Sequence, residues 1–137
     1  MSGRFAMALH ALSVLGASPD GANSAWIAGS VNTNAVFLRK ILRTLADGGL
    51  VEVREGRGGK YWLAKAPEKI RLSEVYQLVE PDGPLSPSEA EPNGKCPIGC
   101  VMRESFDAVA ASARVALLKH LHRQTVAQLI SQALRGR

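Results

Sequence analysis

Residues 31–64, VNTNAVFLRKILRTLADGGLVEVREGRGGKYWLA, hold a polar turn, an amphipathic helix and a basic hairpin in immediate succession, and that order decides the fold. Val31-Asn32-Thr33-Asn34 reads as a turn. Asn34 caps the helix that follows, its side-chain oxygen accepting from a backbone N–H two or three residues on. In that helix Leu38, Ile41, Leu42 and Leu45 recur at i, i+3, i+4 and i+7, while Val36, Arg39, Lys40 and Arg43 point to the opposite side. Asp47-Gly48-Gly49 ends it, with a glycine available for the left-handed C-terminal conformation. Leu50–Arg54 alternates as a strand does, Tyr61–Ala64 reads as its partner, and Glu55-Gly56-Arg57-Gly58-Gly59-Lys60 is a glycine-rich hairpin between them. The hairpin matches no nucleotide-binding glycine pattern and leads into a strand instead of a helix, which excludes a phosphate-cradling loop.

Upstream, MSGRFAMALHALSVLGAS imitates a secretory signal peptide, but Phe5, Ala8, Leu9 and Leu12 share one face and His10 interrupts the run, so it reads as a first helix. The loop SPDGANS follows, and Ser24 is placed to cap a short helix through Trp26, Ile27 and Val31. Downstream, Leu72–Val79 forms a short amphipathic helix stopped by Pro81, and residues 81–97 hold five prolines in an acidic linker. From about Val101 a long helical region carries Phe106, Val109, Ala113, Ala116, Leu117, His120 and Leu121 near one stripe, followed by Val126, Leu129, Ile130 and Leu134. Its alanines let another helix approach closely, either within the fold or from a second copy.

The 137 residues are 46% hydrophobic and 21% charged, which excludes wholesale disorder and a disulfide-dense scaffold. No segment reaches the ~18 apolar residues of a membrane span, and a cytoplasmic protein is expected. The net charge of +5 is uneven: residues 1–65 carry eight basic and four acidic side chains, residues 66–95 three and six, and residues 96–137 six and two.

Three helices, the last two joined by a tight turn, followed by a two-stranded ribbon make a winged helix-turn-helix, in a mainly α chain with a small β-hairpin wing. The third helix of such a unit enters the major groove of double-stranded DNA and the ribbon touches the backbone. Asn32, Thr33, Asn34, Val36 and Arg39 are suitable reading groups: Asn pairs with an adenine edge, Arg with guanine, and Val meets a thymine methyl. Lys40, Arg43, Arg54, Arg57 and Lys60 are placed to neutralise phosphates. A winged-helix module that binds only other proteins is the competing reading. No nucleophile and base are paired, so an enzyme is not expected.

The stretch from Ser30 to Tyr76, the later Cys96-Pro97-Ile98-Gly99 and the Thr125–Leu129 segment resemble the Rrf2 family of bacterial winged-helix repressors, in particular members with a Val-Asn-Thr-Asn turn and a Cys-Pro-x-Gly motif. The resemblance implies a homodimer whose long C-terminal helices pack on the partner, acting on a near-palindromic operator. It divides the chain into a DNA-binding domain over residues 1–80, a Pro-rich linker or sensor loop over 81–97 and dimerisation helices over 98–137. Glu55 stands where the family usually has Arg, and Lys60 where it usually has Gly.

Some members hold an iron–sulfur cluster and others switch through thiols. Cys96 and Cys100 alone supply half the thiolates a cluster normally takes, and His120 and His122 lie about 200° apart around a helix, so no metal or cofactor is expected. Both cysteines open a helix next to Lys95 and Arg103, where thiolate is favoured, and an i, i+4 spacing of about 6 Å lies within disulfide reach. They are the candidate redox-sensing pair, and small buried hydrophobes are the plainer reading.

Overall fold

A computed structural model describes residues 3–54 and 59–136. Glu55, Gly56, Arg57 and Gly58, the expected tip of the hairpin, lie outside the described residues. The chain runs α1 (Arg4–Gly16), β1 (Ala22–Asn23), α2 (Ser24–Val31), α3 (Ala35–Asp47), β2 (Val51–Arg54), β3 (Lys60–Leu63), a 3-10 turn (Pro67–Lys69), α4 (Leu72–Val79), α5 (Gly99–Leu121) and α6 (Val126–Arg135). This is the mainly helical winged helix-turn-helix with a long C-terminal helix that the sequence pattern calls for.

The apolar stripes meet in one core. Ala8, Ala11, Leu12 and Leu15 of α1 face Leu38, Ile41, Leu42 and Leu45 of α3, with Ile27 from α2, Ile70, Val75 and Val79 around α4, and Val126 from α6. Each fully buried Leu or Ile contributes about 1.5–3 kcal/mol relative to an exposed position. With so few large aromatics, Phe5 and Tyr76 supply the one ring contact among the described residues, edge to face at 5.2 Å.

The sheet has three strands in the order β1-β3-β2, all antiparallel, with Ala22 opposite Tyr61 and Val51 opposite Leu63. The sequence reading leaves Ala22–Asn23 in a loop; pairing with β3 draws those two residues out straight. The cap of α2 therefore falls one residue earlier than Ser24: Asn23 is extended and its Oδ1 accepts from the Trp26 amide at 2.7 Å.

Two long-range ties close the fold behind the sheet. The Leu72 amide donates to Gln124 and the Val126 amide to Ile70, around a bridge between Arg71 and Thr125. Thr125 and Gln128 form a reciprocal capping box that starts α6. The stripe of α6 then packs on α1, with Leu129 and Ile130 against the core. The apolar face of α6 is thus buried on α1 of its own chain.

The Pro-rich segment runs back beside α5. Pro87 and Pro92 stand over Met102 and Phe106 around a gap of about 120 Å³, and Glu91 lies 3.9 Å from Arg103. Arg114 of α5 donates to the Glu80 carbonyl and stacks over Tyr76 at 5.9 Å, which fixes α5 to α4.

Candidate nucleic-acid interface

The turn before α3 is set by two asparagines. Asn32 closes α2 in the left-handed conformation, φ 65°, a state that Asn tolerates better than most residues, and its amide donates to Ala28 at 2.8 Å. Asn34 is extended, and its Oδ1 accepts from the Phe37 amide at 2.8 Å. The expected cap is present and engages that oxygen, which leaves the Asn34 side-chain NH2 without a role in the cap. Gly49, φ 81°, supplies the left-handed residue after α3.

With Leu38, Ile41, Leu42 and Leu45 buried, Val36, Arg39, Lys40 and Arg43 are left exposed on a sector of roughly 100° at helical spacing. Val36 is 59% exposed, an apolar group held in water among cations. Arg39 leans toward the sheet and lines a cleft of about 370 Å³ with Asn23, Ser24, Ala25, Gly59 and Tyr61. Lys40 lies on the other flank and borders a hollow of about 220 Å³ between α3, α4 and Arg4. Asn23, Ser24 and Tyr61 are not among the expected DNA-facing residues; the extended Asn23 beside the third strand is what brings them to Arg39.

Arg54 and Lys60 are exposed and directly opposite each other across β2 and β3. Like charges in register repel, and a polyanion between them relieves that cost. Arg54 is steadied by stacking over Trp62 at 5.0 Å, while Lys60 reaches the Asp20 carbonyl at 3.5 Å. Arg57 belongs to the hairpin tip outside the described residues.

The cysteines form a second cluster at the start of α5. Both are free and exposed, so they are not the buried hydrophobes of the plainer reading. The Cys100 amide donates to the Cys96 carbonyl at 3.0 Å, placing the pair one helical turn apart, and the Cys100 thiol donates to the Pro97 carbonyl at 3.3 Å. Backbone N–H groups of Gly99 and then Ile98 point at Cys96 and lower its pKa below the ordinary thiol value. Asn93 shapes this loop: its carbonyl accepts from Cys96 and its side chain from Lys95. A Cβ at Gly99 would run into the Asn93 carbonyl, so glycine is required there.

Among the described residues no three His, Cys, Asp or Glu side chains converge as a metal site. His10 bonds Ser30 at 2.9 Å and His122 bonds Ser73 at 3.2 Å. Two cysteines in one chain do not make the donor set of a cluster. Among the described residues, no helix is long and apolar enough to cross a membrane.

Residues 1–132 match the family model for Rrf2, iron-dependent transcriptional regulator. A curated relative, the HTH-type transcriptional regulator YwnA of Bacillus subtilis, is 33% identical over 121 residues, covering 88% of this chain and 90% of its own. A solved transcriptional regulator from Lactobacillus plantarum superposes with a TM-score of 0.79 at 27% identity, over 97% of this chain and 91% of that one. IscR of T. potens shares the fold, with a TM-score of 0.67 at 19% identity over 97% and 87% of the two chains. Family and relatives are regulators and not enzymes, as the lack of paired catalytic groups led us to expect. A tight Asn turn, a helix with an exposed basic face and a charged ribbon on one fold, matched over nearly the whole chain, make this protein a member of the Rrf2 family of DNA-binding transcriptional regulators.

Proposed function

We propose that this regulator is a homodimeric repressor that acts in the cytoplasm on a near-palindromic operator, with Cys96 and Cys100 as a thiol pair that adjusts its affinity. In this reading Asn32, Thr33, Asn34, Val36 and Arg39 meet base edges, and Lys40, Arg43, Arg54, Arg57 and Lys60 meet phosphates. One observation carries the dimer: α5 runs for 23 residues without burying a single one, and leaves Val101, Met102, Val109 and Val115 in water. A two-fold pairing along that helix would present two α3 faces to one duplex, and half-sites about 34 Å apart would match them.

Selection from a random duplex pool, followed by titration at two salt concentrations, tests the reading. An inverted repeat should be enriched and affinity should fall steeply as salt rises. No duplex affinity at low salt, or an affinity that ignores salt, would instead favour a winged helix that binds only proteins.

Support for the thiol pair comes from the amides facing Cys96 and the single helical turn to Cys100. The Cys96 thiolate attacks hydrogen peroxide, giving a sulfenic acid and releasing hydroxide; the Cys100 thiol then condenses with it, forming a disulfide and water. Peroxide should change the operator affinity of the parent and leave the double Ser variant unmoved. An equal response in both would remove this part of the proposal.

A further inference from the structure

Trp26 is the most exposed large apolar side chain in the described residues, at 68%, and neither the core nor the reading face accounts for it. It stands at the third position of α2, whose cap, Asn23, also lines the Arg39 cleft. Ala25, Trp26, Gly29 and Ser30 border a shallow groove of about 330 Å³, and Ala25 is common to this groove and to the cleft that holds Arg39, Ser24 and Tyr61. The two hollows therefore flank Ala25 at the start of α2. Among the described residues no acidic side chain lines either one. A Cβ at Gly29 would meet nothing within 4 Å, so the floor of the groove is open.

A DNA strand offers alternating apolar sugars and anionic phosphates. The cleft matches the phosphate: Arg39 brings a guanidinium, and Ser24 and Tyr61 bring hydroxyls. The groove matches the sugar, because an indole gives an apolar body with one N–H donor at its edge. We propose that the DNA backbone leaving α3 crosses the start of α2, with a phosphate in the Arg39 cleft and the next sugar packed on Trp26. Trp26 is thus a sequence-independent anchor that sets how far α3 enters the groove. This rests on the DNA-binding reading and adds a third contact surface to α3 and the ribbon.

The test uses the full chain and a mixed-sequence 30-base-pair duplex at low salt, where backbone contacts dominate binding. In a Trp62→Phe background Trp26 is the sole indole, and its emission should shift or quench in step with DNA saturation. Trp26→Ala should weaken duplex binding about three- to tenfold at an unchanged salt slope, whereas Trp26→Phe should recover most of the loss. Because Trp26 is exposed, thermal unfolding of the Ala variant should match the parent. Emission that ignores saturating DNA, or an Ala variant that binds as tightly as the parent, would overturn the inference while leaving DNA binding intact. A parent that does not bind the duplex would overturn the DNA-binding reading itself.

Discussion

In the proposed reading Asn34 would do two jobs, capping α3 and meeting a base edge, and they can be separated. Its oxygen caps α3, so Asn34→Ala should cost about 1 kcal/mol of stability in chemical unfolding. Asn34→Asp keeps an equal cap and favours the helix dipole, yet removes the amide donor and places a carboxylate at the groove. It should unfold like the parent and bind operator about tenfold more weakly. Equal losses of stability and binding in both variants would reduce Asn34 to a cap. The cap is legible in the sequence, but only the bond to Phe37 shows which side-chain atom it takes. The thiols give a second test. Because the N–H groups of Gly99 and Ile98 hold the Cys96 pKa down, alkylation of Cys96 should reach its half-maximal rate at a pH below that of an ordinary thiol. Gly99→Ala collides with Asn93 and should move that midpoint back up, as read by iodoacetamide labelling from pH 6 to 10.

Elements were legible where the hydrophobic period and its stop signals agreed. The helix over Leu72–Val79 follows the expected bounds, and α3 sits between its Asn34 cap and Gly49 as the pattern requires. Missed β1 is two residues long and exists only because β3, nearly forty residues later, pairs with it. No local pattern carries such a strand. The destination of α6 was hidden for a different reason: a stripe of Val126, Leu129 and Ile130 announces that a face is buried, but not whose surface covers it. Its packing on α1 makes a direct prediction. Val126 is fully buried at the first position of α6, so Val126→Ala should destabilise the chain by about 2 kcal/mol in denaturant titrations. Operator affinity of the folded protein should stay within twofold, since no proposed DNA contact lies on α6. A variant as stable as the parent would mean that α6 is only loosely attached to the winged-helix unit.

At the scale of the whole molecule the basic surface and the bare helix have to be explained together. One winged-helix unit offers a short basic face, and its charge alone gives salt-sensitive but weakly selective binding. Coupling two units through α5 makes the second contact intramolecular and raises overall affinity by about 10²–10⁴ without any new protein–DNA contact. The same pairing would cover Val109, Val101 and Met102, which a solitary chain leaves in water along a helix rich in small side chains. Val109→Glu is the discriminating change. At 59% exposure it is not needed for folding of the single chain, so far-ultraviolet dichroism and thermal unfolding of the monomer should survive. A carboxylate buried without a partner would oppose association of the two α5 helices. Sedimentation should therefore show the parent at twice the mass of the variant, and operator binding should fall by roughly a hundredfold or more. Binding to a duplex carrying one half-site should change little, because the α3 face is untouched. A variant that sediments as a monomer yet keeps full affinity for the inverted repeat would show that each head binds by itself, and the palindrome would then reflect no property of this chain.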